Sequence, residues 1–420
     1  GLGRVRTGRG EPGVQQRASV WFVFTVVLID MIGFGLVMPV LPGLIMELGR
    51  MSIDRAAIWA GWLAAGYAAM QFVCAPVIGN LSDRFGRRPV LLACLFAYGC
   101  DYLLQGFAPS LAWLIVGRIV AGMTGASVSA AYAYIADVTA AKDRAAAFGT
   151  MGMAFGFGFI IGPALGGFLG EFGTRVPFFA AAAIAFANVL FGYFFLRESL
   201  PAEQRRPFRM ARANALAALK VLSRQSPTVL WLVAALGVWA LAHTVYPTIW
   251  AYFAIEAYGW SPGQIGLSLT AVGVGSALVQ GLLIRWLIPR IGEVRAIVIG
   301  VAALVAVTAI FAFVRSEPLI YAALVFNGLQ GLVQPSINAL GSRSVDAASQ
   351  GELQGAVQAM GSLAMIAGPL IYTAIFAKFA GPEAIAQFPA MPLVAAACFA
   401  VVAAALVLAG IHRARPSPSA

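Results

Sequence analysis

Displaced by 206 positions and laid on itself, the chain brings its bend-prone residues into register. Arg84 and Gly86 fall on Arg290 and Gly292, Gly122 and Gly125 on Gly328 and Gly331, Gly149 on Gly355, and Gly162 and Pro163 on Gly368 and Pro369. Glycine and proline stand where a backbone bends or another helix comes close. One constant offset therefore means two halves with the same bends in the same order. Isolated coincidences are expected among 46 glycines, but not an ordered series without a change of register. About six apolar segments fill one repeat, an even number, so both halves enter and leave a bilayer in the same sense.

The bilayer follows from composition. Of the residues, 60% are hydrophobic and 11% charged, whereas a soluble chain carries roughly 25% charged residues. Runs of about 20 apolar residues, each long enough to cross a hydrocarbon core, recur along the chain. The first set is expected near 20–42, 56–79, 89–107, 110–136, 145–170 and 175–197. The second set is expected near 227–252, 262–287, 293–314, 318–342, 352–377 and 388–411. The domain organisation that follows is an N-terminal tail (1–18), a six-helix bundle (19–197), a basic central loop (198–226), a second bundle (227–411) and a C-terminal tail (412–420). Residues 1–18 are Arg- and Gly-rich rather than apolar, so no cleavable signal is expected before the first span.

The formal net charge of +11 raises a nucleic-acid reading, and the placement of the charge removes it. With both termini inside, the cytoplasmic segments hold Arg84, Arg87, Arg88, Lys142, Arg144, Arg197, the central-loop arginines, Arg285, Arg290, Arg295 and Arg343. The outer loops keep only Arg50, Arg55, Arg175, Arg315 and Lys378. That asymmetry is the positive-inside bias, and no basic soluble domain remains to contact phosphates. Membrane lipid is the expected partner, and the chain is expected to act as a monomer. Cys74, Cys94, Cys100 and Cys398 lie in apolar spans without metal-ligand spacing, and are expected to be buried small hydrophobes. His243 and His412 supply no nucleophile–base or metal cluster. No catalytic residues, metal site or cofactor are therefore expected, and the chain is expected not to be an enzyme.

Between the second and third spans runs Gly79-Asn80-Leu81-Ser82-Asp83-Arg84-Phe85-Gly86-Arg87-Arg88-Pro89. Its glycines allow close packing and a tight turn. Asp83 can cap a helix and pair with a cation, and Arg84, Arg87 and Arg88 can reach lipid phosphates or helix C-termini. Such a segment can latch one conformation shut. These residues resemble the signature of the major facilitator superfamily. A second match, Gly149, Gly158, Gly162, Pro163, Gly166 and Gly167, fits the G-x8-G-x3-GP-x2-GG pattern of that family's proton-coupled exporters. Asp30 with Gly33, Gly35, Pro39 and Pro42 forms a third match, and Gly117-Arg118 with Gly122 and Gly125 a fourth. Together with Gln71 and the stretch Gln350–Gly355, these motifs are similar to those of the tetracycline/proton antiporter branch. Two departures stand out: Ser276 occupies the apparent place of a histidine in those exporters, and the ninth span has no acid. The resemblance implies an all-α integral membrane protein with a twelve-span major facilitator fold, made of two pseudo-symmetric six-helix bundles. It also implies export of drug-like amphipathic compounds, tetracycline-type or multidrug, against protons by alternating access, with the proton as coupling ion; the alternative is a proton-coupled importer of a small metabolite, or a facilitator of the same fold.

An ionisable side chain near the bilayer centre costs about 2.5–3.5 kcal/mol on insertion scales, so each is a functional candidate. Asp30 and Asp101 are the deep carboxylates and Arg118 the deep strong base. A helix shift that changes an Asp–Arg distance would couple protonation to conformation; the bland alternative is a static Asp30–Arg118 ion pair. The second half offers uncharged polar side chains instead. Asn327, Gln330, Gln334 and Asn338 share a face at helical spacing, as do His243, Tyr246 and Trp250, and Gln354 and Gln358. With Gln71 these are the expected substrate-cavity residues, and interhelical hydrogen bonding is the competing role.

Overall fold

The computed structural model describes residues 12–125, 127–140, 143–207, 226–346 and 349–414. Residues 1–11, 208–225 and 415–420, which hold most of both expected tails and of the central loop, lie outside that set, as does Lys142. Among the described residues eleven helices are long and apolar enough to cross a bilayer. The first half contributes Val20–Val37, Ile53–Phe85, Arg87–Gly106, Leu111–Val138, Ala146–Gly170 and Val176–Phe195. The second contributes Pro227–Tyr258, Pro262–Ile291, Glu293–Phe313, Gln350–Phe379 and Met391–His412. The tenth crossing, 317–343, is built from two short α-helices, Glu317–Phe326 and Val333–Arg343, joined by a 3-10 turn over Asn327–Leu332. Below these crossings are numbered first to twelfth in chain order.

Local chemistry sets the ends. Ser226 accepts the backbone N–H of Val229 at the start of the seventh crossing, and Ser261 with Gln264 forms a reciprocal capping box at the start of the eighth. The first crossing stops at Val37, short of the expected 42. Residues 38–40 form a turn before a short helix, Leu41–Gly49. The second crossing runs on to Phe85, so the segment expected as a loop is mostly helix. Only Gly86 lies between the second and third crossings, at φ +106°, a conformation that glycine adopts without a Cβ penalty. Large side chains such as Trp21, Phe96, Phe194, Trp286 and Phe313 are exposed on the outer faces, where lipid solvates them. Of the cysteines expected to be buried, only Cys94 is; Cys74 is half-buried, and Cys100 and Cys398 are exposed.

The halves repeat their irregularities at the sequence offset. Gly292 has φ +80°, as its counterpart Gly86 does +106°. The first crossing breaks after Val37, and the seventh breaks at the equivalent Thr244, between Pro227–His243 and Val245–Tyr258. The fourth breaks after Thr124, and the tenth turns 3-10 at the equivalent stretch. Contacts repeat as well, to within one residue. A Cβ on Gly266 would stand 2.3 Å from the carbonyl oxygen of Pro163, and one on Gly61 would stand 3.0 Å from that of Pro369. Arg87 pairs with Asp137, Nε to Oδ2 at 3.1 Å. At the same two places of the second half, Glu293 pairs with Arg343, the same bridge with its charges exchanged.

The two bundles meet closely at one end only. Four crossings form the seam: the second against the eleventh, and the fifth against the eighth. Away from the arginine-rich end they touch at backbone distance. A Cβ on Gly61 would fall 2.2 Å from Thr373 Oγ1, and one on Gly167 would fall 2.5 Å from the Pro262 carbonyl. Thr270 Oγ1 donates to the Ile160 carbonyl at 3.0 Å across the seam. Eighteen residues is five α-helical turns, so positions that far apart share a face. At that spacing from Gly61, Gly167 and Pro369 stand Gly79, Gly149 and Gly351, and nothing lies within 4 Å of a Cβ at any of the three; the same is true of Gly281, in the π-helical turn Val279–Leu283 of the eighth crossing. The seam is therefore closed at the end away from the arginines and open at the arginine-rich end.

Candidate functional site

The first bundle gathers the deep charges around Asp101, which is 2% exposed. Its Oδ2 accepts a hydrogen bond from Gln105 Nε2 at 2.6 Å, one turn further along the third crossing. Gln105 Oε1 in turn accepts from Arg118 Nη2 of the fourth crossing at 3.0 Å. Acid and base are thus joined through a fully buried amide. Among the described residues Asp101 Oδ1 and Arg118 Nε have no hydrogen-bond partner. Oδ1 rests against Gly117, where a Cβ would be 2.4 Å away. This explains a glycine beside Arg118: any side chain there would displace the carboxylate.

Asp30 stands apart, half-buried on the first crossing, with no ion-pair partner among the described residues. The static Asp30–Arg118 bridge is therefore absent, because Arg118 is turned to Gln105. Tyr102 packs against Gly33, one turn from Asp30, and lies within electrostatic reach of Asp30, Asp101 and Arg118. Beside it a polar chain runs toward the seam. Tyr98 and Tyr67 hydroxyls are 3.2 Å apart, and Gln71 Nε2 donates to the Gly125 carbonyl at 3.0 Å. A Cβ at Gly125 would fall within 3 Å of all three side chains, so the fourth motif's glycines dock the second and third crossings.

The fifth-crossing motif divides into two faces. Gly158, Gly162 and Gly166 lie on the first crossing, with a Cβ on Gly166 only 2.1 Å from the Leu36 carbonyl. Gly167 and the Pro163 carbonyl lie on the eighth, while the Pro163 ring packs on Gly35 of the first. Gly149 has no such neighbour, a correction to its expected packing role, because it stands where the seam is open. The same holds for Gly79 in the arginine-rich segment.

In that segment Arg87 is the centre. It reaches Asp83 at 2.6 Å, Asp137 at 3.1 Å and Ser82 Oγ at 2.6 Å, and its backbone N–H donates to Glu198 at 2.8 Å. Gly86 is closely covered by Glu198, Arg88 Nη2 donates to the Tyr193 carbonyl at 2.5 Å, and Arg84 stacks on Phe85. A cavity of about 720 Å³ opens between Asp83, Arg87, Asp137, Glu203 and Arg206. Sequence inspection missed Asp137 and Glu198, although Asp137 falls on Arg343 at the repeat offset.

The second bundle corrects the expected polar faces. Tyr246 and Trp250 are buried: Tyr246 Oη donates to Asn327 Oδ1 at 3.2 Å and Trp250 Nε1 to Ser268 Oγ at 2.8 Å. Trp250 sits among Phe253, Trp260 and Phe311, in the core rather than on an open cavity. His243, just before the helix break, is exposed and does not share their environment. Asn327 and Gln330 are buried while Gln334 is exposed and Asn338 half-buried, because the 3-10 turn changes the helical phase between them. Gln354 and Gln358 are exposed. Gln358 is eleven residues, about three turns, before Pro369, so it shares the face that meets the second crossing and borders the open part of the seam. At the repeat positions of Asp101, Gln105 and Arg118 stand Val307, Phe311 and Leu324, all fully buried. The charge relay is confined to one half.

Comparison with known proteins places these features. The sequence profile of the Major Facilitator Superfamily matches residues 23–369, and again 233–419. The class C tetracycline resistance protein of Escherichia coli is 42% identical over 354 residues, 84% of this chain and 88% of that one. Multidrug resistance protein 2 of Bacillus subtilis (strain 168) is 30% identical over 67% of this chain and 70% of its own. In fold, the chain superposes on a crystal structure of a bacterial homologue of the human lysosomal transporter Spinster with a TM-score of 0.73 at 17% identity, covering 96% and 99% of the two chains.

Proposed function

The chain belongs to the major facilitator superfamily, and from that premise we propose that it is a proton-coupled antiporter that exports amphipathic drug-like molecules of the tetracycline type. The observation that carries this reading is the arrangement of buried Asp101 and Gln105 with half-buried Arg118 in one half, where the equivalent places of the other half hold apolar core. A transporter that only let its substrate diffuse would gain nothing from a deep carboxylate whose insertion costs a few kcal/mol. The relatives named as tetracycline and multidrug resistance proteins support the substrate class.

In this reading the arginine-rich end faces the cytoplasm in the inner membrane, both termini lie on that side, and the cleft is open inward. Substrate enters between the bundles past Gln71, Gln354, Gln358 and His243. A proton arriving from outside neutralises Asp30 or Asp101, and a single chain completes the cycle. The Arg87 cluster holds the first bundle's cytoplasmic end in the present arrangement and is remade when the seam closes there. Adding tetracycline to proteoliposomes that contain the purified protein tests this. The expected result is proton movement opposite to the drug, with uphill drug accumulation under an imposed pH gradient. Drug movement without proton movement, or none of either, would sink the proposal.

A further inference from the structure

We infer that Gln105 is a positioning residue that sets protonation of Asp101 against docking of Arg118; this deepens the proton-coupling reading and rests on it. The orientation of the amide is fixed by its neighbours. A guanidinium only donates hydrogen bonds, so the atom facing Arg118 must be Oε1, and Nε2 therefore faces Asp101. That arrangement suits a carboxylate. A proton on Oδ2 would set an O–H donor against the Nε2 donor. Turning the amide over would give that O–H an acceptor but present NH2 to the guanidinium. A proton on Oδ1, which lies on Gly117, would leave Nε2 donating to the neutral carbonyl of an acid, a hold roughly half as strong as that on a carboxylate. Gln105 is fully buried, so no exposed surface offers its amide a substitute partner. One amide thus serves an ionised Asp101 and a docked Arg118 together, and protonation of the acid weakens or breaks that arrangement.

The groups around the relay come from every packed element. Asp30 of the first crossing, Tyr67 of the second, Tyr98 and Tyr102 of the third and Tyr252 of the seventh lie within electrostatic reach of one another or of Asp101 and Arg118. The sixth crossing meets the third there with Phe179 and Phe186, which do not titrate. Among the described residues Arg118 Nε has no hydrogen-bond partner, while Nη2 is held by Gln105, so loosening the amide loosens the guanidinium. Arg118 is then free to move, and the fourth crossing with it.

Gln105→Leu and Gln105→Glu, reconstituted and tested with tetracycline, decide the matter. Gln105→Leu removes the amide without leaving an unpaired polar group of its own. It should retain tetracycline binding and downhill exchange, lose uphill accumulation by about tenfold or more, and show a flattened pH profile. Gln105→Glu keeps an acceptor for Arg118 but sets a like charge beside Asp101, so the pH midpoint of transport should move upward. Wild-type uphill accumulation and an unchanged pH profile in Gln105→Leu would overturn the inference. If that variant fails to insert, an unmoved midpoint in Gln105→Glu overturns it instead. Failure of the antiporter reading is separate: it would show as absent drug-evoked proton movement in the unmodified protein.

Discussion

Asp101 and Arg118 could be found in the sequence because charge deep in an apolar run is rare, and rarity is a signal. Gln105 could not, since an uncharged amide near a span end resembles the polar groups that bind helices together. Its position one turn from Asp101 was the available cue, and it gains meaning only once the fourth crossing brings Arg118 alongside. Gly117 was read as part of a motif, while its reason, the space taken by Asp101 Oδ1, is a packing fact. That reason yields a prediction. Gly117→Ala should push the carboxylate off its place, and a shift of about 1 Å in such a group can cost on the order of a hundredfold in rate. Uphill transport should fall by roughly tenfold to a hundredfold, with about 1–3 kcal/mol lost in stability from overpacking. A control, Gly156→Ala, meets nothing within 4 Å and should fold at least as well. Thermal melting and transport of both variants check this, and unimpaired transport by Gly117→Ala would contradict the role of that contact.

At the scale of elements, apolar runs gave eleven crossings their places, and the breaks within crossings were harder to read. Pro247, which has no N–H to donate to the His243 carbonyl, was the overlooked cue to the break at Thr244, and the 3-10 turn at Asn327–Leu332 lies inside an apparently regular polar stripe. The stripe rule assumes α-helical phase throughout, so it put Trp250 and Gln334 on faces they do not occupy. Also unread was Glu171, at the end of the fifth crossing, whose carboxylate accepts the Gly263 backbone N–H at 2.7 Å and so caps the eighth crossing from the other bundle. The Ser261 hydroxyl and then that N–H hold the Glu171 carboxyl below its ordinary value of 4.5. A lowered value means that the closed seam is favoured above about pH 4.5 and loses this support as pH falls through the depressed value. Labels at the exposed Phe172 and Leu267 should therefore separate in acid. Glu171→Gln should bring the separation toward neutral pH. A label distance that ignores both acid and Glu171→Gln would remove this contact from the closure.

For the whole molecule, the repeat was the most legible property, because bends must be encoded by glycine and proline wherever they occur. Its most telling consequence was still missed. The bridge Arg87–Asp137 recurs as Glu293–Arg343 with its signs exchanged, and an alignment of identical residues passes over an exchange of charge. Conformation left no trace in the sequence: a glycine that awaits a partner looks the same as one that has found it. The free positions Gly79, Gly149, Gly281 and Gly351 are where the arginine-rich ends should meet when the seam opens at its other end. Gly149→Leu should then fold and bind tetracycline as the parent does, yet turn over more than about tenfold more slowly; parental turnover would mean that the ends do not close on this face. The central claim is that Asp101, joined to Arg118 through Gln105, carries the proton exchanged for drug. Asp101→Asn keeps the size of the side chain and removes its titration, so tetracycline-evoked proton movement in proteoliposomes is the most direct measurement. The account predicts proton movement in the parent protein and, in Asp101→Asn, tetracycline binding without proton movement or uphill accumulation. Full uphill, proton-linked transport by Asp101→Asn would contradict it.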